Sequence, residues 1–213
     1  MKRFVFSLFC SVILFGINVF PVTAEGISLN GTWTLDFWEQ KRTPVVSPEQ
    51  MQGIEYETIQ ASVPGNVELD LLSAGLVADP EIGSNVYLLR PFEGYQWRYS
   101  RSFVSPEYSQ DDEVFLCFGG IDCYAEIYLN GSHIGSSANM LIEHEYDVTD
   151  ALLPPGGENR LEVYIRSSVM EGRKNIPPVI SFNFAQVESV YSRRAPHTYG
   201  WDIMPRLVSA GLW

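Results

Sequence analysis

Histidine and cysteine are scarce in this chain. Three histidines, His133, His144 and His197, are spread over 213 residues. No two of them stand in a His-x-His or His-x-x-x-His pair, so a histidine-based metal centre is not written into the sequence. Each reads as a polar surface or rim residue. Of the three cysteines, Cys10 lies in an N-terminal apolar run, which leaves Cys117 and Cys123. Two cysteines exclude a disulfide framework as the basis of the fold. Both sit in apolar, strand-like segments on either side of Gly119-Gly120. They are open to two readings: a disulfide, which an oxidising compartment permits, or small buried core residues. Cations are also few. Fourteen Lys and Arg face 26 Asp and Glu, for a net charge of −12. Such a chain repels phosphate backbones and anionic lipid, which excludes nucleic acid and membrane surfaces as expected partners. There is no Gly-x-Ser-x-Gly elbow and no phosphate-cradling glycine loop. Internal repeats and low-complexity linkers are lacking too, so a single domain is expected.

One long apolar run is present. Lys2 and Arg3 precede Phe4 to Phe20, and Val22-Thr23-Ala24 offers small residues for cleavage. This is the pattern of a secretory signal peptide over residues 1–24, ahead of a domain over 25–213 and an exported, periplasmic or extracellular location. A retained membrane anchor is the alternative. A lipid anchor on Cys10 is disfavoured by the bulk of Phe9. Loss of Lys2 and Arg3 would take the net charge from −12 to −14.

Strand signals dominate the remainder. Trp33, Leu35 and Phe37 alternate with Thr34, Asp36 and Trp38. Tyr99 to Val104 and the apolar run Val114 to Phe118 continue the theme. Tyr124 to Leu129 leads into Asn130-Gly131, a strong hairpin signal, with Ser132 to Gly135 starting the return strand. Leu161, Val163 and Ile165 alternate with Glu162, Tyr164 and Arg166. Helical signal is confined to one place, Val67 to Ala74. Asn66 stands as its cap, Gly75 as its stop, and Leu69, Leu71 and Leu72 as its inward side. One further turn is expected within Asp147 to Leu153. Many short strands at hairpin spacing with little helix predict an all-β antiparallel sandwich or jelly roll.

Carboxylates are plentiful, so a glycosidase pair has to be weighed. Retaining enzymes need two carboxyl groups about 5–5.5 Å apart. Asp111-Asp112-Glu113 reads as a solvated turn. Glu143 and Glu145 share a strand face, but nothing near them supplies the apolar pocket that raises one pKa. The most unusual composition is Arg193 to Arg206, where three arginines, the rings of His197, Tyr199 and Trp201, and the single carboxylate of Asp202 fall within fourteen residues. A Trp face packs on the C–H face of a pyranose, and a neighbouring carboxylate accepts charge-assisted bonds from sugar hydroxyls. Composition alone leaves two readings open. Either Trp201-Asp202 is a sugar subsite, or Trp201 is core and Asp202 pairs with Arg206 or Arg194.

This segment resembles the family 2 glycoside hydrolases, and within them the N-terminal domain of the β-mannosidase branch. That branch carries a basic pair ahead of Gly-Trp-Asp-Trp-Gly-Pro-Arg and a Gly-x-Trp end. Here the match is Arg193-Arg194, Gly200-Trp201-Asp202, Pro205-Arg206 and Gly211-Leu212-Trp213. Other family marks follow in order along the chain, among them Leu29-Asn30-Gly31-Thr32-Trp33, Val63-Pro64-Gly65, Trp97-Arg98-Tyr99, Gly120-Ile121-Asp122, Ala125 to Gly131 and Asp147-Val148-Thr149. The resemblance implies a galactose-binding-like jelly roll standing ahead of an immunoglobulin-like domain and a (β/α)8 barrel. The barrel carries the catalytic glutamates, so no residue here is expected to be catalytic. It implies Trp201 and Asp202 as contacts to the terminal β-linked sugar of a glycan, with Arg194 a secondary candidate at the same rim. No cofactor is implied; folds of this type admit a calcium ion in a loop, though no motif asks for one. Ile203-Met204 stands where the branch has Trp-Gly, so a ring is lost from the pocket wall and mannose is not the only sugar to consider. The chain ends on Leu212-Trp213, which reads as mid-strand. That favours the accessory domain of a retaining exo-β-glycosidase over the alternatives, a standalone carbohydrate-binding module or a purely bracing domain.

Overall fold

The computed structural model describes residues 26–175 and 187–213; the expected signal peptide lies outside the described residues. The largest sheet is six-stranded and antiparallel. Its strands are β1 (Gly31–Glu39), β2 (Glu57–Val63), β4 (Tyr95–Val104), β7 (Tyr124–Leu129), β8 (Ser132–Ala138) and β10 (Glu158–Arg166), in the order β2-β1-β4-β10-β7-β8. The facing layer holds a three-stranded sheet, with β11 (Gly211–Leu212) between β3 (Gly65–Asn66) and β6 (Ile121–Asp122). It also holds a two-stranded sheet of β5 (Phe115–Phe118) and β9 (His144–Asp147). The expected antiparallel sandwich is what the chain forms.

The alternation read from the sequence sets this layering. Leu161, Val163 and Ile165 of β10 join Trp33, Leu35 and Phe37 of β1, Trp97 and Tyr99 of β4, and Ala125, Ile127 and Leu129 of β7 in one core. Leu116, Phe118, Ile121 and Leu212 close it from the opposite layer. Asn130 (φ 53) and Gly131 (φ 82) form the β7–β8 turn, with the two positive φ angles that a tight two-residue hairpin requires. The run at Val114 to Phe118 proves to alternate. Leu116 and Phe118 turn inward, while Phe115 and Cys117 face out. Cys123 lies on the inner side with no exposure, and both thiols are free. No disulfide joins them because β5 directs Cys117 away from the core that encloses Cys123.

The expected helix is α1 (Val67–Ser73). Asn66 Oδ1 accepts from the Leu69 N–H at 3.0 Å, and Gly75 (φ 72) follows its end. Its rotation differs from expectation. Val67, Glu68, Asp70 and Leu71 are buried, and Leu69 is exposed. Two polar anchors turn it that way: Asp70 Oδ1 accepts the Ser62 N–H at 2.9 Å, and Glu68 Oε2 accepts from Ser209 Oγ. Within Asp147 to Leu153, one hydrogen-bonded turn forms at Val148. A second helix, α2 (Ser168–Arg173), was not anticipated. It is capped by Ser167, whose Oγ accepts from Met170 N at 3.1 Å.

The Glu68–Ser209 bond is one stitch in a seam that fastens the last described segment to the sandwich. Val67 N–H donates to Ala210 O at 3.0 Å, and Trp213 exchanges two backbone bonds with Gly120. Burial pushes the Glu68 carboxyl up to about 6 from the ordinary 4.5, against the Ser209 bond that pulls it down. The fold therefore prefers Glu68 protonated. Its contribution to stability is complete below about pH 4.5 and is lost as pH rises through about 6. Glu68→Gln should thus stabilise the chain by about 1–2 kcal/mol at pH 7.5 and by almost nothing at pH 4. Urea denaturation at the two pH values reads this; equal stability of both proteins at pH 7.5 would refute it.

The middle of the seam tolerates no side chain. A Cβ on Gly211 would run into the Gly65 carbonyl oxygen and approach Asn66 Cα to 3.2 Å, so backbone blocks it on the β3 side. Gly211→Ala should cost about 1–3 kcal/mol. Gly120→Ala, whose nearest contacts are in the ring of the partly exposed Trp213 and not in backbone, should cost less. Thermal melts of the two variants side by side test the ordering.

Candidate functional site

The segment Arg193 to Arg206 folds as an exposed tip on a buried ionic base. Arg194, the deepest part of that base, is 2% exposed. Its Nε and Nη2 donate to the two carboxylate oxygens of Asp122 at 2.8 and 2.5 Å. Nη1 donates to Thr198 Oγ1 at 3.0 Å, and Nη2 also to Ser209 O at 3.1 Å. Burial works against the charged guanidinium, but Asp122 outweighs it and holds Arg194 protonated. Arg206 is the second anchor. It reaches both carboxylate oxygens of Glu93, at 2.8 Å from Nη2 and 2.9 Å from Nε, and Glu188 at 3.2 Å. Glu188 also receives Arg173 Nε from α2 at 3.0 Å. Between the anchors lies Tyr199, 1% exposed, with the Arg194 and Arg206 guanidinium carbons 5.3 and 5.4 Å from its ring centroid.

From this base the chain turns outward. Gly200 (φ 100) reverses the backbone, and Trp201 N–H donates to Met204 O at 3.0 Å while Met204 N–H returns a bond to Trp201 O. This is a two-residue turn with Asp202 (φ 33) and Ile203 at its apex. Asp is among the few residues that accept a positive φ. Trp201 is 59% and Ile203 83% exposed. Trp201 and Met204, with Ser189, Pro196 and His197, line an open hollow of about 450 Å3. Among the described residues, no carboxylate lines it.

Of the two readings open from composition, burial of Trp201 is thus not what forms. The arginines offered as partners for Asp202 are engaged by Asp122, Glu93 and Glu188. Trp201 and Asp202 stand together at the tip. Arg194 does not join them: expected at the rim, it lies inside, because an unpaired Asp122 in that interior would demand a cation. Glu93, Glu188 and Asp122, which hold the base, received no role from the sequence. The only signal was Asp122, a polar residue embedded in the apolar stretch Gly120 to Ala125. Glu143, just ahead of β9, and Glu145, on it, are exposed, while His144 between them contacts Ser137 Oγ at 3.1 Å and Asn139 O at 2.8 Å. Among the described residues, no group of three or more His, Cys, Asp or Glu side chains is placed to hold a metal ion.

Residues 33–213 match the family described as the glycosyl hydrolase 2 galactose-binding domain-like domain. The chain belongs to that family. As a glycosyl hydrolase 2 galactose-binding-like domain it is 32% identical over 154 residues to beta-mannosidase B of Thermothelomyces thermophilus, and 34% identical over 157 residues to beta-mannosidase B of Emericella nidulans. The alignments cover 70% and 71% of this chain but 18% of each relative. In structure it is similar to the beta-D-mannosidase of Dictyoglomus thermophilum. The TM-score is 0.66 at 33% identity, over 87% of this chain and 21% of that one. The chain therefore spans about a fifth of the length of these relatives and corresponds to a galactose-binding-like domain within them.

Proposed function

We propose that the chain is the non-catalytic N-terminal domain of an exported, retaining exo-β-glycosidase of the β-mannosidase type. In this reading it braces a barrel downstream and lends Trp201 and Asp202 as contacts to the terminal β-linked sugar of a glycan. The carrying observation is the exposed Trp201–Asp202 tip, set on a base of buried ion pairs that would hold it still against a substrate. Pre-organisation of this kind lowers the ordering cost of binding. The β-mannosidase relatives supply the sugar class. Hydrolysis by a retaining mechanism needs a carboxyl pair about 5–5.5 Å apart, one of them with a raised pKa, and among the described residues none with a carboxylate lines the hollow beside Trp201.

The chain alone should show no turnover of aryl β-mannoside or aryl β-galactoside. A discontinuous assay with purified protein tests this, and clear turnover that survives repurification would overturn the non-catalytic reading.

A further inference from the structure

We propose that Asn30-Gly31 is a self-modifying site. Asn30 loses its side-chain amide as ammonia to attack by the Gly31 backbone nitrogen and becomes isoaspartate, with Arg101 promoting both steps.

The chain contains two Asn-Gly pairs in nearly identical settings, Leu29-Asn30-Gly31-Thr32 and Leu129-Asn130-Gly131-Ser132. Glycine has no Cβ to shield its backbone nitrogen, so both pairs carry the same intrinsic chemistry. Both asparagines are exposed. What separates them is how the fold employs their side chains. Asn130 Nδ2 donates to Ala151 O at 2.9 Å and to Asn159 Oδ1 at 2.8 Å, and Asn130 Oδ1 accepts from Arg160 N–H at 2.9 Å. Asn159 is fully buried and is itself bonded to Ser105 and Leu153. The Asn130 amide therefore cannot swing onto Gly131 without breaking all of these bonds. Asn30 has no such lock. Among the described residues its bonds run through its backbone. Its N–H donates to Ser28 Oγ at 3.2 Å, and its carbonyl accepts from Arg101 Nη1 at 2.9 Å.

Gly31 sits where the sheet opens most easily. It begins β1, opposite Val63 at the end of the β1–β2 ladder, and the β4 ladder on the other side starts only at Thr34. Ladder ends open at low local cost. Just ahead of the pair the chain is pinned: Leu29 O accepts from Trp33 Nε1 at 2.8 Å and from Arg101 Nη1 at 2.7 Å. The reacting pair thus lies between a fixed point and a strand end, and its conversion leaves the core in place.

Arg101 supplies the activation. It holds the carbonyl of the peptide unit whose nitrogen must attack. A cation on that oxygen stabilises the negative charge that forms as the Gly31 N–H gives up its proton. The nitrogen bonds to Asn30 Cγ, the Cγ–Nδ2 bond breaks, and ammonia leaves with the Gly31 proton, closing a five-membered imide. Water then opens the imide. Attack at the carbonyl polarised by Arg101 frees the Asn30 α-carboxylate and routes the backbone through Cβ and Cγ, which is isoaspartate. The new carboxylate arises in contact with the guanidinium. This is a charge-assisted pair that Arg101 otherwise lacks among the described residues. Attack at Cγ gives aspartate instead and leaves Arg101 facing a neutral carbonyl.

The test is incubation of the full chain in mildly alkaline buffer, folded and in urea. Peptide mapping by mass spectrometry reads the amide-to-acid conversion, and isoaspartyl methyltransferase labelling reads the product. In the folded chain Asn30 should convert about tenfold or more faster than Asn130, and in urea the two rates should come together. The ratio of isoaspartate to aspartate at position 30 should be higher in the folded chain than in urea. Arg101→Met should slow the conversion of Asn30 about fivefold or more and bring the product ratio down to the urea value. The comparison of folded and urea-treated unaltered chain needs no variant, so it decides the matter even if Arg101→Met unsettles β1. Equal rates at Asn30 and Asn130 in the folded chain, or the same rate ratio with and without urea, would overturn the proposal. So would a folded Arg101→Met chain that converts Asn30 as fast as the unaltered one.

Discussion

Arg194→Ala should destabilise the chain by about 3–5 kcal/mol, because it leaves a buried carboxylate without its cation. Asp122 is 4% exposed and lies in the field of Glu68 and of the Tyr99 hydroxyl. Asp70 Oδ2 and the Tyr99 hydroxyl in that region have no hydrogen-bond partner among the described residues, so neither is shown supporting the orphaned charge. The same change removes the donors to Thr198 and Ser209, and with them two ties that fix the tip and the closing strand. It also withdraws a positive charge that lowers the pKa of Glu68, so Glu68 should titrate still higher. Urea denaturation measures the loss. The diagnostic comparison is Arg194→Met combined with Asp122→Leu. Replacing both charges by apolar side chains removes the desolvation cost together with the attraction, and most of the stability should return. A single-variant loss below about 1 kcal/mol would mean that water reaches Asp122 and that the pair is not the anchor described here.

Much of the sandwich was legible in the sequence because it rests on local chemistry. Asn130-Gly131 specifies its turn by positive φ, and β10 specifies its faces by alternation. Asn66 and Gly75 punctuate α1 whatever surrounds them. The failures share a different cause. The rotation of α1 is set by Ser62 and Ser209, one of them 141 residues away from the Glu68 that it contacts. The helix α2 has Gly172 next to its last residue, and its Glu171 accepts from Gln40, 131 residues distant; nothing in Ser168 to Arg173 announces a helix. Alternation along β10 separates its two faces but does not say what covers the polar one. Glu162 and Tyr164 are buried, with Glu162 meeting Arg98 at 3.3 Å and Arg98 reaching Asp36 at 2.6 Å. Position 194 shows the same limit at the site. The resemblance offered it as a secondary candidate for the rim, and a partner 72 residues earlier holds it inside. The resemblance singled out Trp201 and Asp202, and both lie on the outside of the segment. They stand exposed at the tip, and Arg193 and His197 of the same segment are exposed as well, while Arg194, Tyr199 and Arg206 are taken up by the base.

The Trp201–Asp202 pair carries the second large effect. Where residues 33–213 replace the corresponding domain of the Dictyoglomus thermophilum beta-D-mannosidase, Asp202→Ala should lower transition-state binding by about 2–4 kcal/mol, roughly 30- to 1,000-fold in kcat/KM for an aryl β-mannoside. The size follows from closure. An exposed carboxylate bonding a sugar in water is worth little, but the same carboxylate roofed by a barrel is desolvated, and a hydroxyl that loses its acceptor there has no water to turn to. Asp202→Asn keeps an oxygen acceptor without the charge and should fall between the two. The turn geometry supplies a control: Asp202 sits at φ 33, so alanine also strains the apex. Asp202→Gly relieves the strain while removing the carboxylate. If Asp202→Gly recovers the activity that Asp202→Ala loses, the residue serves the backbone of the turn and not the sugar. If both lose activity alike, with the melting temperature of the fusion unchanged, the carboxylate itself is the contact, and the buried ion pairs beneath it exist to hold that one group in place.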